Sequence, residues 1–206
     1  MMNDYLTIVN EEVTKCDPNV TNVVIPDGVT VIRKYAFRYC ESLKSITIPN
    51  GVTSIGVSAF EGCYNLKTVT IPDGVTSIGV RAFAYCKSLK NITIPNSIKF
   101  IGDDTFNHCE SLESIIIPNS VTFIGNYAFA YCKSLKSIII PNGVTFIGDR
   151  AFEGCFDIET VTIPNSVTSI NIEAFYGCAN VVIHCYKNSY AEEYAKEHYI
   201  PYKIID

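Results

Sequence analysis

A 23-residue repeat is the feature of this sequence that most constrains its fold. One copy occupies residues 49–71 and reads PNGVTSIGVSAFEGCYNLKTVTI. Three residue types recur at the same interval through seven copies. They are Pro26, Pro49, Pro72, Pro95, Pro118, Pro141 and Pro164; Phe37, Phe60, Phe83, Phe106, Phe129, Phe152 and Phe175; and Cys40, Cys63, Cys86, Cys109, Cys132, Cys155 and Cys178. A fixed period of this length predicts a solenoid in which each repeat stacks on the next.

Each repeat contains three local patterns. Proline followed by Asn or Asp and then Gly or Ser predicts a turn, since these residues favour turn dihedrals. The spacing of Ala59, Phe60, Cys63 and Leu66 indicates a short helical or 3₁₀ turn facing inward. Val69 and Ile71 alternate with Thr68 and Thr70, which is the pattern of a strand. Strands from successive coils run the same way, so the sequence predicts a mainly β solenoid with a parallel sheet.

The motif VTSIGxxAFxxCxxLxxIxIP resembles the BspA-like (Treponema-type) leucine-rich repeats, and the resemblance covers residues 20 to about 205. It implies a right-handed leucine-rich repeat solenoid without catalytic residues. It also implies a surface or secreted protein of bacteria or some protists, engaged in adhesion and protein binding.

The repeat pattern weakens at both ends, which predicts caps over the apolar cross-sections of the solenoid. We assign residues 1–25 to an N-terminal cap or partial repeat, with strands at 5–9 and 12–16. Residues 26–186 form the seven repeats. Residues 187–206 form a C-terminal cap, with a helix that begins at Asn188 or Ser189, a stop at Pro201 and a final strand.

Composition excludes several classes of protein. The 206 residues carry a net charge of −5 with interspersed signs, and no basic cluster indicates nucleic-acid binding. No apolar run reaches the length of a membrane span. The opening MMNDYLTIVNEE does not resemble a secretory signal peptide. Either the protein stays in the cytoplasm, or an export signal precedes the given sequence.

The nine cysteines do not predict a metal site. Zinc needs four ligands that converge on one point, whereas these cysteines come one per repeat. Disulfides between neighbouring repeats are compatible with the spacing, but side chains in one column point the same way and the count is odd. We therefore expect buried, reduced thiols that act as small apolar side chains. No cofactor is expected.

No catalytic arrangement is evident among the polar residues. The histidines are His108, His184 and His198, and none accompanies a nucleophile in a recognisable pattern. We therefore predict that the protein is not an enzyme. Asn19 and Asn91 match the glycosylation sequon, and the sequence does not show whether either is used.

Two sets of residues are candidates for protein binding. The first is the outward column of the predicted sheet: Thr47, Thr70, Thr93, Ile116, Ile139 and Thr162. Threonine is also an ordinary exposed strand residue, so this column has a purely structural explanation as well. The second set is the trio Phe100, Phe123 and Phe146. Other repeats have a smaller residue there and, in most of them, an apolar residue three positions later. The trio therefore either covers a groove or forms an apolar patch for a partner or a second copy.

The predicted function is a non-enzymatic protein–protein interaction module, adhesin-like and at the cell surface by resemblance. A host extracellular or cell-surface protein is the expected kind of partner, and self-association is a second expectation. The alternative is a cytoplasmic scaffold or a structural repeat protein.

Overall fold

The computed structural model describes residues 5–206; residues 1–4 of the predicted N-terminal cap and opening segment lie outside the described residues. The chain forms a β-solenoid of about eight turns with parallel sheets, which confirms the predicted fold class. Each complete repeat contributes a three-residue strand to one stack and a two-residue strand to another. The second stack is not evident from the sequence pattern, because its strands are too short to show alternation.

The longer strands are those predicted from the alternating pattern. They are β3 (Asn22–Val24), β5 (Ser45–Thr47), β7 (Thr68–Thr70), β9 (Asn91–Thr93), β11 (Ser114–Ile116), β13 (Ser137–Ile139), β15 (Thr160–Thr162) and β17 (Val182–Cys185). The two-residue strands are β4 (Val31–Ile32), β6 (Ser54–Ile55), β8 (Ser77–Ile78), β10 (Phe100–Ile101), β12 (Phe123–Ile124), β14 (Phe146–Ile147) and β16 (Ser169–Ile170). Paired strands of both stacks are parallel and in register, so equivalent residues of neighbouring repeats lie side by side.

The segment between the two strand types is a series of turns rather than a continuous helix. Its amide N–H groups alternate between two kinds of acceptor. Ser58 and Phe60 donate to carbonyls of the next repeat at 2.9 and 2.8 Å, whereas Ala59 and Glu61 donate three residues back at 3.2 and 3.3 Å. A continuous helix cannot form here because Ser58 and Gly62 have the left-handed backbone conformation, with φ of 51° and 74°. The turns therefore also bond one repeat to the next.

The core consists of stacked columns of identical side chains. The seven phenylalanine rings stack nearly parallel, with centroids 4.9–5.8 Å apart between neighbours. Leucine, isoleucine, valine and cysteine columns are buried beside them. Burying each large side chain contributes roughly 1.5–3 kcal/mol, which offsets the conformational entropy lost by its repeat only when neighbours cover both sides.

Distinct elements occupy the two ends. At the N-terminal end, β1 (Leu6–Val9) and β2 (Glu12–Cys16) form an antiparallel hairpin, and β2 pairs with β4. At the C-terminal end, α1 (Tyr190–Glu197) precedes β18 (Tyr202–Ile204), which pairs with β17. Ser189 begins the helix by accepting the amide N–H of Glu192 at 3.2 Å. These elements lie where the sequence predicted strands and a helix.

Candidate protein-binding surface

The outward column of the long strands is open to solvent along most of its length. Thr47, Thr70 and Thr93 are exposed, whereas Thr162 is half-buried. The positions beside these threonines hold small polar residues such as Ser114. The column is therefore available for contact, but threonine alone does not distinguish a binding surface from an ordinary exposed strand.

Ile116 and Ile139 distinguish the middle of this column. Their side chains are 80% and 69% exposed, in consecutive repeats where the preceding repeats have threonine. Val24 at the start of the same column is exposed as well, but Ile116 and Ile139 are the only two exposed apolar residues that are consecutive in the described column. Such an apolar pair among polar residues is the kind of feature that marks interaction sites. The two isoleucines form the centre of the candidate surface.

The long sheet divides at the same place. β11 ends a five-stranded sheet and β13 begins a four-stranded one, with no ladder pairing between them in the described chain. A groove of about 310 Å³ lies there, lined by residues of both strands together with Asn119 and Pro141. A second groove of about 340 Å³ lies on the other side of Ile116, towards β9. One recess thus lies between the two isoleucines and a second lies beyond Ile116, and side chains of a partner can enter both.

The phenylalanine trio belongs to the other stack of strands. Phe123 and Phe146 are half-buried and stack with centroids 4.9 Å apart and planes 4° apart. Phe100 pairs in register with Phe123 through the backbone, but its side chain is 61% exposed. The structure therefore brings two of the three rings together as a stack. Half-burial of this pair favours the groove-covering explanation for Phe123 and Phe146, while Phe100 remains an exposed apolar residue.

Polar side chains three positions after these phenylalanines bond to the backbone of the next repeat. Asp103 Oδ1 accepts the amide N–H of Asn126 at 2.8 Å, and Asn126 Oδ1 accepts that of Asp149 at 2.8 Å. These hydrogen bonds were not predicted from the sequence, in which the position was noted only because it is polar where the position three residues earlier is apolar. The recurrence of Asp or Asn in three consecutive repeats was the available signal.

The cysteine column is structural. All nine cysteines are free and buried, which agrees with the expectation for the seven in the repeats and extends it to Cys16 and Cys185. Six thiols donate to the phenylalanine carbonyl of the preceding repeat, as Cys63 does to Phe37 at 3.1 Å. Burial raises the pKa of the Cys109 thiol above its ordinary value. Such thiols are poor nucleophiles and poor metal ligands.

His108 lies inside an aromatic stack at the surface. Its ring is 4.6 Å from that of Tyr85 and 4.5 Å from that of Tyr131, both nearly parallel. Burial lowers the pKa of His108 below its ordinary 6.5, while Glu110 opposes that shift and Lys133 and Lys87 assist it. The carboxylate of Glu110 contacts Lys133 Nζ at 2.8 Å. The imidazole is thus a neutral member of an aromatic column rather than a base beside a nucleophile.

Residues 5–206 contain neither a cluster of metal-binding side chains nor a helix that could span a membrane. No group of three or more His, Cys, Asp or Glu residues is placed to hold a metal ion there. The single described helix is too short and too polar to cross a membrane.

The fold and its repeated strand-and-turn unit define a leucine-rich repeat solenoid. The family model for the BspA type leucine rich repeat region matches six copies over residues 7–133 and 54–182. The chain therefore belongs to the BspA-type leucine-rich repeat family, as its motif indicated. This family and fold are generally non-enzymatic binding modules, and leucine-rich repeat proteins generally bind proteins.

Solved structures of similar proteins support this assignment. A T. pallidum leucine rich repeat protein is 29% identical with a TM-score of 0.81, over 98% of this chain and 97% of that one. A leucine rich cell surface protein from Faecalibacterium prausnitzii is 30% identical with a TM-score of 0.61, over 84% of this chain and 62% of that one. A leucine-rich repeat protein from Eubacterium ventriosum is 31% identical with a TM-score of 0.75, over 82% and 46%. The chain thus spans less than two thirds of two of these structures. Among curated proteins no match was found.

Proposed function

We propose that this protein is an adhesin-like interaction module of the cell surface or of the secreted fraction. Its partner in this proposal is an extracellular or cell-surface protein of a host. A surface location is supported by the description of the Faecalibacterium prausnitzii relative as a cell surface protein. The binding surface is the face of the long strands, centred on Ile116 and Ile139.

The exposed isoleucine pair carries this proposal. The two isoleucines are consecutive in a column made mainly of threonine, with one groove between them and a second beyond Ile116. Interfaces concentrate their binding energy in a few apolar anchors surrounded by polar residues that exclude water. Ile116 and Ile139 have the exposure of such anchors, and Ser114, Ser137 and Asn119 supply the polar rim.

The test replaces both isoleucines by the threonine that other repeats have at this position. Threonine keeps the β-branch that suits a strand, so we expect unchanged folding. Binding is measured by biolayer interferometry against a panel of purified extracellular-matrix and plasma proteins. Any partner of the natural protein should bind the double variant at least about tenfold more weakly, as loss of hot-spot anchors does.

Ile172→Thr is the matched control, since this residue is 68% exposed but lies outside the long strands. It should leave binding unchanged. Equal binding by the natural protein and the double variant contradicts the proposed surface. Absence of binding to every panel member contradicts the adhesin proposal and favours a scaffold role. Sedimentation of the natural protein tests self-association, and a stable dimer lost in the double variant assigns the face to a second copy.

A further inference from the structure

A cavity among the turns of the first three repeats forms a second candidate site, separate from the isoleucine face. It has a volume of about 430 Å³, which is the size of small-ligand pockets. Four tyrosines line it, together with two arginines, a glutamate and a buried serine: Tyr35, Tyr39, Tyr64, Tyr85, Arg38, Arg81, Glu61 and Ser58.

The charged side chains that line the cavity are two arginines and one glutamate, so positive charge is in excess. The Glu61 side chain is 5% exposed and contacts Arg38 Nε at 2.8 Å and Arg81 Nη2 at 3.4 Å. Two arginines therefore share one carboxylate. The cavity carries one excess positive charge, and the Arg81 contact is long enough to be replaced by a better one. A ligand with one negative charge completes the balance, and arginine is well suited to bind a carboxylate.

Its aromatic walls are partly unoccupied. Arg38 lies over the Tyr35 and Tyr39 rings at 5.1 and 4.8 Å, so those rings already contact a cation. Tyr85 stacks on His108 on one side only. The preceding repeat has Gly62 at the equivalent position, and the Tyr39 ring lies over this glycine where a side chain would begin. Tyr39 and Tyr85 both line the cavity. A flat ring of a ligand can contact this side of Tyr85, with tyrosine hydroxyls near its edge.

Part of this arrangement recurs four repeats later, although Ala130 and Glu173 stand there in place of Arg38 and Arg81. Tyr127, Tyr131, Glu153 and Gly154 are equivalent to Tyr35, Tyr39, Glu61 and Gly62. There, Arg150 replaces Ser58, and its guanidinium contacts the Tyr127 hydroxyl at 2.8 Å and Glu173 at 2.6 Å. An arginine from the position of Ser58 therefore lies beside Tyr127 in the later copy. In the first copy this position has the small Ser58, which lines the cavity.

We propose that the open copy binds an acidic sugar residue, a pyranose ring that carries one carboxylate. The C–H face of the ring packs against Tyr85, the carboxylate is bound by Arg81 and Arg38, and the hydroxyls are bound by tyrosine hydroxyls. A neutral sugar leaves the excess charge uncompensated, and a bare anion leaves the aromatic wall uncovered. Binding should therefore need both parts of the ligand.

The experiment is calorimetric titration of the full chain with a hyaluronan tetrasaccharide, whose glucuronate rings carry carboxylates. Chitotetraose is the neutral control, and acetate and inorganic phosphate are the anion controls. We expect hyaluronan to bind at least about tenfold more tightly than any control, with weakening as salt rises. No binding of hyaluronan overturns the proposal. Equal binding of chitotetraose overturns the role of the arginines, and equal binding of acetate or phosphate overturns the sugar assignment.

Two variants locate the site. Ser58→Tyr fills the cavity with a neutral ring, and the backbone accepts it: φ is 51° at Ser58, 64° at Tyr35 and 53° at Tyr127. It should abolish binding. Arg81→Met should weaken binding about tenfold while leaving Glu61 paired with Arg38. Lys44→Met, an exposed cation outside the cavity, is the control and should bind as the natural protein does. Unchanged affinity in a folded Ser58→Tyr or in Arg81→Met contradicts the location.

Discussion

We expect the stability of the C-terminal end of the solenoid to depend on Tyr194 of the C-terminal helix. Its side chain is buried, and its ring meets that of Phe175 edge-on, with centroids 6.1 Å apart and planes at 61°. The hydroxyl donates to the Ile172 carbonyl at 3.2 Å. The parallel phenylalanine stack therefore ends against a perpendicular tyrosine that excludes water from the last repeat.

The cost of Tyr194→Ala follows from these contacts. Burial of an aromatic side chain contributes roughly 1.5–3 kcal/mol. The edge-to-face contact and the hydrogen bond each add about 0.5–1.5 kcal/mol. The expected loss is about 4 kcal/mol, in the range of large-to-small core replacements. Tyr194→Phe, which removes only the hydroxyl, should lose about 1 kcal/mol.

Urea unfolding followed by circular dichroism measures the free energy of unfolding of both variants. Tyr199→Ala is the control, because Tyr199 is 94% exposed, and it should lose less than about 0.5 kcal/mol. Stability of a solenoid is a sum over neighbouring repeats, so the loss can also appear as early unfolding of the last repeats. Hydrogen exchange at β17 distinguishes that outcome. A Tyr194→Ala variant as stable as Tyr199→Ala, with equal protection of β17, would refute the reasoning.

Further predictions follow from the ends, the columns and the surface stack. Deletion of residues 187–206 should expose the last repeat and cause aggregation or a large stability loss, detected by light scattering; a soluble, equally stable monomer contradicts this. Phe123→Ser should lose roughly 1–3 kcal/mol in urea with unchanged association, and Phe100→Ser much less; weaker association at full stability would instead indicate an apolar patch. None of the nine thiols should react rapidly with Ellman's reagent before denaturation, since all are buried; fast labelling of any repeat cysteine, or a disulfide found by mass spectrometry, argues against this. The unfolded chain binds a proton at His108 more readily than the folded chain, so stability is lost as pH falls below about 6.5. His108→Tyr should reduce that loss between pH 7.5 and 5.5, and an unchanged difference in urea midpoint contradicts the assignment.

The repeat determined most of the fold without tertiary information. Identical residues every 23 positions require identical environments, which only stacked coils provide. The alternation in residues 68–71 placed the long strands, and the helix after Ser189 followed from a capping residue and a Pro stop. The burial of the phenylalanine and cysteine columns was predictable for the same reason, since their spacing puts them on one side of every coil.

Only the tertiary structure decided where neighbouring repeats differ from the average. The strands of the second stack have only two residues, which is too short to show alternation in the sequence. The sequence also does not show that β11 and β13 lack the ladder pairing that joins the other long strands of the described chain. The sequence singled out Ile116 and Ile139 only as members of a column, whereas the structure shows one groove between them and a second beyond Ile116. The cavity of Tyr85 and Arg81 brings together residues of three repeats, including the small Ser58, where the equivalent position four repeats later has Arg150 in contact with Tyr127. A repeated sequence determines how the coils stack, because every coil must pack against neighbours with the same side chains. Recesses arise where single side chains differ in size from their equivalents in neighbouring repeats.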